Sequence, residues 1–397
     1  MIQIASRLGE VKEYYFSTKL KQIRQMNEAG KDVLNLGIGS PDLPPAPEVI
    51  AELQEQSSRD DVHAYQSYNG LPELRVAFAK WYARHFQVAL DAETEVLPLI
   101  GSKEGIMHIS MTYLEAGDEV LIPNPGYPAY QAVTKLTGAT SVPYDLTAEN
   151  GWLPDLTALV ERDLSKVKIM WINYPHMPSG TKASLSFFKE LIVFAKTHQI
   201  LLVNDNPYSF ILNTEQISLL EVEGAKEVAL ELNSLSKSHN MAGWRVGMLA
   251  GKEEYLSTII RFKSNMDSGM YKPVQLAAVK ALGLPKSWYH ELNDTYRERR
   301  EKIFELLDLL DCQYDRNQVG LFVWAKIPNA YKDSYQLADE ILHNANVFIT
   351  PGGIFGTNGE QYVRVSLCGS LEKFETAIQR IQQLKAATTV AQMVETA

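Results

Sequence analysis

The chain is poor in cysteine and has no long apolar run. Its 397 residues include two cysteines, Cys312 and Cys368, which excludes a disulfide-stapled fold and leads us to expect a reducing, cytoplasmic compartment. No run reaches the ~18 apolar residues of a membrane helix, so we expect no membrane partner. Residues Met1–Phe16 also lack the apolar block and small-residue cleavage site of a signal peptide.

Positive charge is also scarce. The sequence has 38 Lys and Arg against 48 Asp and Glu, a formal net charge of −10, and it has no long basic run. Such a chain is a poor candidate for binding nucleic acid or an anionic membrane. With 45% hydrophobic and 22% charged residues, it has the composition of a globular protein, and its length suits two or three domains of ~150 residues.

Short β-rich apolar runs alternate with helical patterns through most of the chain. Leu185–His198 carries its apolar residues on one helical stripe. Strand–helix alternation predicts an α/β fold whose large domain has a mostly parallel sheet sandwiched by helices. The predicted strands of that sheet are Glu95–Ile100, Glu119–Pro123, Thr140–Tyr144, Val167–Asn173, Ile200–Asn204, Val228–Leu232 and Val246–Ala250.

The pattern changes near Pro285 and predicts a second, smaller α+β domain. A long charged helix is expected at Trp288–Leu310, and we interpret its run Arg297–Lys302 as a solvated face. Strands are predicted at Gly320–Ile327, Val347–Pro351 and Tyr362–Leu367, with helices near Ser334–Asn344 and from Leu371. We therefore divide the chain into an N-terminal segment (residues 1–44), a large domain (residues 45–284) and a small domain (residues 285–397). The N-terminal segment has a helix through Asn27 and is expected to pack with the small domain, and Lys385–Ala397 is expected to fray.

Polar segments follow several predicted strands, where α/β sheets bind their ligands. The small residues of Gly101–Gly105 would let backbone amides approach an anion, although an ordinary strand-to-helix turn explains them equally well. Tyr127, in a proline-stiffened loop, is either a flat platform for a ring or a solvent-facing turn residue. Asp205 ends a very apolar run and needs a positive partner or hydrogen-bond donors. Asp205 begins the polar segment Asp205–Tyr208, and the other polar segments are Asn173–Gly180, Ser234–Lys237 and Gly243–Gly247.

Taken together, these segments match the needs of pyridoxal 5′-phosphate. Its phosphate requires helix amides, hydroxyl groups and a guanidinium group. Its ring nitrogen requires a carboxylate, its phenolic oxygen a hydroxyl donor, and its aldehyde a lysine. We therefore predict this cofactor. Because the histidines have no ligand spacing, we predict no metal.

From Asn35–Asp42 to Tyr362–Ser366 the chain resembles the class I/II aminotransferases of the aspartate aminotransferase superfamily, which are fold type I pyridoxal-phosphate enzymes. Ser234–Gly247 is the most specific segment. The resemblance implies that Lys237 forms the Schiff base, Asp205 pairs with the ring nitrogen and Tyr208 with the 3′ oxygen, and that these three are the catalytic residues. It further implies that Tyr127 stacks on the ring, that Arg364 holds the substrate α-carboxylate beside the Gly39 backbone, and that the phosphate is held by Ser102, Lys103, Ser234 and Arg245.

The same resemblance implies a homodimer with shared active sites. Tyr65 matches the family tyrosine that reaches the phosphate of the neighbouring subunit, and Ser268 is a second candidate for such a contribution. One departure stands out, because Met177-Pro178-Ser179-Gly180 replaces the usual Asn-Pro-Thr-Gly. Met177 cannot donate to the 3′ oxygen, which leaves Asn173, placed among the cofactor-binding residues, or His176 to compensate.

The implied reaction is ping-pong amino transfer between an L-amino acid and a 2-oxo acid. A C–S lyase or related elimination enzyme on the same fold is the alternative, whereas a ligand-sensing regulator would need a DNA-binding domain for which the chain has no spare length. No arginine stands out for a second substrate carboxylate, although Lys272 or Arg261 would serve. With side-chain pocket candidates at Ile38, Tyr14, Tyr15 and Met270–Lys272, we expect a neutral or aromatic amino acid, with glutamate as counter-substrate.

Overall fold

A mixed seven-stranded sheet flanked by helices forms the larger part of the molecule. The computed structural model describes residues 2–9, 11, 13 and 15–395, and for 388–395 it describes the backbone alone. The helices are α1 Tyr15–Glu28, α2 Pro47–Ser57, α3 Pro72–Phe86, α4 Ser102–Tyr113, α5 Pro128–Thr137, α6 Leu156–Val160, α7 Leu185–His198, α8 Leu235–Ser238, α9 Glu253–Lys263, α10 Lys272–Leu282, α11 Lys286–Leu309, α12 Ser334–Ala345 and α13 Leu371–Glu395. The strands are β1 Leu34–Asn35, β2 Val96–Leu99, β3 Glu119–Asn124, β4 Thr140–Asp145, β5 Val167–Ile172, β6 Leu201–Asp205, β7 Ala229–Ser234, β8 Gly247–Ala250, β9 Gln313–Tyr314, β10 Phe322–Lys326, β11 Val347–Phe348, β12 Thr350–Pro351 and β13 Tyr362–Ser366.

The large sheet has the strand order β2-β8-β7-β6-β5-β3-β4. Strand β8 runs antiparallel to both β2 and β7, and the other pairs are parallel. Successive side chains of a strand point to opposite faces, so Leu202 packs into one hydrophobic core and Val203 into another. Both faces are therefore covered, which confirms the predicted fold class.

Local signals define the helix ends. The Ser184 hydroxyl accepts a hydrogen bond from the backbone N–H of Phe187 and caps the start of α7, while Gln199 in the left-handed conformation ends that helix. Between these caps, the predicted stripe that includes Phe188, Leu191 and Ile192 is buried. The helix occupies Leu185–His198, as predicted from the pattern alone.

A four-stranded antiparallel sheet, β12-β13-β10-β9, forms the centre of the second part. The single strand predicted at Val347–Pro351 is wrong. Val347 and Phe348 pair with Leu34 and Asn35 in a separate two-stranded sheet, whereas β12 pairs with β13. The backbone past Leu384 also continues as helix to Glu395. The boundaries of the three predicted chain divisions stay predictions.

The N-terminal segment packs onto this second part. Phe16 and Leu36 belong to the hydrophobic cluster that includes Val323 and Val363 of the small sheet. Among the described residues, none of the helices combines the length and apolar character required to cross a bilayer.

The predicted solvated face at Arg297–Lys302 is wrong for Arg299. This side chain is 5% exposed. It donates to both carboxylate oxygens of Asp42, at 2.8 and 2.9 Å, and to the carbonyl oxygen of Leu367 at 3.2 Å. The ion pair therefore fixes the N-terminal segment to α11, since a buried guanidinium requires a fixed acceptor.

We predict that Asp42→Ala lowers the free energy of unfolding by about 2 kcal/mol, because it leaves the buried Arg299 without its anion. This loss is smaller than the usual cost of breaking a fully buried ion pair, since Asp42 is partly exposed. Urea unfolding measures the change. The matched control is Glu301→Ala, which removes the exposed ion pair of Glu301 with Arg316 and should cost much less. Equal losses in the two variants would contradict the role given to Arg299.

Candidate active site

A cavity of about 560 Å³ lies where several strands of the large sheet end. Strands β5, β6 and β7 are parallel, so the residues that follow them meet at one edge of the sheet. Arg245 reaches the same edge because it precedes the antiparallel β8. Of the predicted site residues, those that line the cavity are Gly39, Ser102, Lys103, Tyr127, Asn173, Asp205, Tyr208, Ser234, Lys237, Arg245 and Arg364.

Lys237 lies on the one-turn helix α8, directly after β7. The Ser234 hydroxyl caps this turn by accepting from the N–H of Ser236 at 3.1 Å. The Lys237 ammonium donates to the carbonyl oxygen of Gly39 at 2.6 Å. Burial lowers the pKa of Lys237 to about 8, and the positive charges of Arg364 and Arg245 act in the same direction. Part of this amine is therefore neutral, and nucleophilic, near pH 8.

Asp205 is the last residue of β6 and is 5% exposed. Its Oδ2 accepts a hydrogen bond from the Tyr130 hydroxyl at 3.0 Å, while its Oδ1 is buried and has no hydrogen-bond partner among the described residues. Burial raises the pKa of Asp205 to about 7, and the Tyr130 hydrogen bond opposes that rise. An unsatisfied carboxylate oxygen that faces a cavity fits a protonated ring nitrogen of a ligand.

Tyr130 is a functional candidate that the sequence reasoning missed. It is 1% exposed, and its ring stacks on Trp171 with a centroid distance of 5.0 Å. The signal in the sequence was its spacing, since Tyr130 comes three residues after Tyr127 and so lies on the same side of the start of α5. Its partner on β6 is revealed only by the fold.

The cavity is positive at the start of α4. Ser102 and Lys103 form the first turn of this helix, where free backbone amides favour an anion. Gly101 has a φ of +82°, and a Cβ there would lie 2.0 Å from a guanidinium nitrogen of Arg245. Glycine at this position therefore allows Arg245 to lie against the helix start.

Arg364, on β13, is 4% exposed. It donates from Nη2 to the carbonyl oxygen of Gly37 at 2.9 Å, and its Nη1 lies 3.1 Å from the sulfur of Met177. The guanidinium carbon is 3.8 Å from the ring centroid of Phe322 and 4.6 Å from that of Phe355. Met177, the departure noted in the sequence, thus contacts Arg364.

Asn173 and His176 differ in their positions. The Asn173 amide donates to the carbonyl oxygen of Asp205, and its oxygen accepts from the N–H of Met177 at 2.9 Å. His176 is 3% exposed, contacts the Ser179 hydroxyl at 2.7 Å and does not line the cavity. The expectation that His176 lies at the site is therefore wrong, because the loop turns its ring into the protein.

Tyr65 lies away from the cavity of its own chain and is 92% exposed. The segment that carries Ser268 is its neighbour, because a Cβ on Gly269 would lie 2.8 Å from the carbonyl oxygens of Gln66 and Ser67. The two segments implied to serve the other subunit therefore adjoin each other. Of the pocket candidates, Ile38 lines the cavity and Tyr15 does not, while Tyr14 lies outside the described residues.

One buried charged cluster was not expected from the sequence. Nε2 of His108 lies 3.4 Å from a carboxylate oxygen of Glu104 and 3.7 Å from one of Asp267. These three groups are close enough together to hold a metal ion, but Lys263 forms a 2.8 Å ion pair with Asp267 and supplies a cation of its own. The absence of a metal stays a prediction.

These features fit pyridoxal phosphate. The unsatisfied Oδ1 of Asp205 suits its ring nitrogen, the partly neutral Lys237 suits its aldehyde, and the start of α4 with Arg245 suits its phosphate.

Comparison with known proteins agrees with the geometry. Residues 31–381 match the family described as aminotransferase class I and II. The chain is 40% identical to the LL-diaminopimelate aminotransferase of Dehalococcoides mccartyi over 97% of this chain and 99% of that protein, and 38% identical to that of Aquifex aeolicus over 97% and 100%. The substrate-bound structure of BacF from Bacillus subtilis superimposes with a TM-score of 0.92 at 35% identity, over 97% of this chain and 98% of that one.

We predict that Tyr130→Phe raises the pKa of Asp205 further, because the hydrogen bond that favours the carboxylate is lost. At pH 7 the apoprotein should bind pyridoxal phosphate about tenfold more weakly, since a hydrogen bond to a charged group contributes more than about 1.4 kcal/mol. The deficit should shrink as the pH rises and the carboxylate is restored. Absorbance titration of the apoprotein with the cofactor measures both effects.

The matched control is Tyr144→Phe. The Tyr144 hydroxyl is equally buried and donates to the carbonyl oxygen of Trp171 at 2.7 Å, so its loss should affect folding without changing cofactor affinity. If the two variants bind the cofactor alike, Tyr130 has no special role at Asp205.

Proposed function

Because this chain belongs to the class I and II aminotransferase family and is therefore a pyridoxal-phosphate-dependent aminotransferase, we propose that the residues of its cavity take the roles below. One observation carries the proposal. A single cavity brings the Lys237 amine together with a buried carboxylate at Asp205 and a buried guanidinium at Arg364.

Two groups set the protonation of the site. When bound, the cofactor supplies a ring that accepts electrons from the substrate Cα. The role of Asp205 is to keep the ring nitrogen protonated, which its buried and unsatisfied Oδ1 favours. Lys237 Nζ is the base that takes the proton from the substrate Cα, since its lowered pKa leaves an amine able to accept one near neutral pH.

Arg364 orients the substrate. A guanidinium group binds a carboxylate through two parallel hydrogen bonds, which fixes the direction of the Cα–H bond. Phe322 and Phe355 cover the guanidinium faces and keep water from them, which strengthens the ionic contact. Ser102, Lys103, Ser234 and Arg245 would hold the phosphate of the cofactor, and Tyr127 would stack on its ring. Tyr208 would donate to the 3′ oxygen, and Asn173 lies beside Asp205.

The relatives at about 40% identity are named LL-diaminopimelate aminotransferases, which supports a role for this enzyme in amino-acid biosynthesis. They do not favour the lyase alternative. We also propose a cytoplasmic location, supported by two buried cysteines that form no disulfide. Cell fractionation that follows the activity alongside cytoplasmic marker enzymes tests the location.

The function is tested by incubating the purified holoprotein with an amino acid and 2-oxoglutarate. We expect glutamate and a new 2-oxo acid in equal amounts, with no ammonia, and we expect Lys237→Ala to abolish turnover. Lys189→Ala, which removes an exposed lysine of α7, is the control and should be fully active. Release of ammonia would indicate elimination instead, and turnover by Lys237→Ala would remove Lys237 from the mechanism.

We further propose a homodimer in which Tyr65 and Ser268 complete the cavity of the other subunit. Their support is that Tyr65 is almost fully exposed and that the two segments adjoin each other away from their own cavity.

Sedimentation should give twice the chain mass of 44.6 kDa, and Tyr65→Phe should weaken cofactor binding several-fold without changing that mass. Tyr68→Phe, at a less exposed ring in the same segment, is the control. A monomer that binds the cofactor with full affinity would contradict the shared site.

A further inference from the structure

Most of the described side chains in the cavity wall around Arg364 are apolar. The Phe16 ring of α1 lies 5.4 Å from the guanidinium carbon of Arg364, which places α1 at this end of the cavity. Leu20, one helical turn further along α1, also lines the cavity, as do Ile38, Phe322 and Phe355. A substrate whose α-carboxylate is held by Arg364 would therefore place its side chain among apolar groups.

The other cations of the cavity wall belong to the opposite end. Among the described residues that line it, Lys103 and Arg245 lie at the helix start that suits the phosphate, and Lys237 is the reacting amine. Arg261 and Lys272, the two cations considered for a second carboxylate, do not line the cavity of their own chain. Lys272 already has an anionic partner, because it forms a 3.1 Å ion pair with Asp61. Arg59 and, to a smaller extent, Lys272 hold the pKa of that carboxyl well below its usual range.

Among the described residues, a carboxylate lies next to the α1 wall and has the wrong sign to bind a second substrate carboxylate. The Glu13 carboxylate accepts a hydrogen bond from the Ser17 hydroxyl at 2.5 Å, and Ser17 lines the cavity. A negative charge at this position repels a dicarboxylic side chain. Leu20, in contrast, is 40% exposed although it is apolar. An apolar ligand would cover it and gain the free energy of removing that surface from water.

Resting on the amino-transfer function above, we propose that the preferred amino acid is a monocarboxylic one with an apolar, aromatic side chain, and that Leu20 and Ile38 select it. Arg364 binds its α-carboxylate, and its ring packs against α1 and Ile38. This differs from the substrate in the names of the curated relatives, since the far end of diaminopimelate carries a second ammonium and a second carboxylate. The same wall predicts a high KM for glutamate as counter-substrate.

Binding of unreactive carboxylates to the holoprotein tests the proposal without turnover. The probes are 3-phenylpropanoate and heptanedioate, which both offer one carboxylate to Arg364 and differ at the far end. Calorimetry should show 3-phenylpropanoate binding at least about tenfold more tightly, a difference of about 1.4 kcal/mol. Equal or tighter binding of heptanedioate would overturn the proposal.

Variants assign the selection to the α1 wall. Leu20→Ala should weaken 3-phenylpropanoate about fivefold, because less apolar surface is covered, and should leave heptanedioate unchanged. Ile38→Ala should act in the same direction. Val193→Ala, at an exposed valine of α7, is the control and should change neither probe. Unchanged affinity in both cavity variants would remove these residues from the selection.

Turnover separates this inference from the function on which it rests. With 2-oxoglutarate as the common acceptor, kcat/KM for phenylalanine should exceed that for LL-diaminopimelate by at least about tenfold. A protein that transfers the amino group of LL-diaminopimelate more efficiently is still an aminotransferase, and that result overturns only the substrate class. A protein that binds the cofactor but transfers no amino group from any amino acid contradicts the proposed function itself.

Discussion

The site depends on one buried carboxylate, that of Asp205 at the end of β6. A carboxylate in that position is costly unless donors or a cation meet both of its oxygens. Tyr130 donates to one oxygen, and the other has no partner among the described residues although Asp205 lines the cavity. The neighbouring strands β5 and β7 then place Asn173 and Lys237 at the same edge, so that the acid and the amine face one space. A bound cofactor would thus supply the hydrogen-bond partner that the second oxygen of Asp205 lacks.

Much of this arrangement could be predicted from the sequence, because the relevant signals are local. The stripe of Leu185–His198 defined a helix to the residue, and the order of the polar segments after each strand indicated the cofactor. Contacts between distant segments could not be predicted in this way. The pairing of Asp42 with Arg299 joins residues 257 positions apart, and Tyr130 reaches Asp205 across 75 positions. The run Val347–Pro351 looked like one strand because periodicity cannot show that its two halves pair with different partners.

Met177 shows how a departure from a family pattern can be absorbed. Its sulfur lies against the Arg364 guanidinium, which also contacts the rings of Phe322 and Phe355 and the Gly37 carbonyl oxygen. The guanidinium that we propose to bind the substrate carboxylate is therefore packed against a thioether and two aromatic rings. A substrate carboxylate bound there would meet a guanidinium that is 4% exposed, and burial strengthens a charged hydrogen bond.

In the short segment from Gly37 to Gly39, the backbone contacts the charged residues of the cavity and the one side chain lines the cavity. The carbonyl oxygens of Gly37 and Gly39 contact Arg364 and Lys237, while the Ile38 side chain faces the space where the substrate would sit. The carbonyl oxygens are present whatever the residue at 38, whereas a Cβ on Gly39 would collide with the Phe322 ring at 2.1 Å. A substitution at position 38 would therefore change the cavity wall, while the backbone contacts of the flanking glycines with Lys237 and Arg364 would be kept.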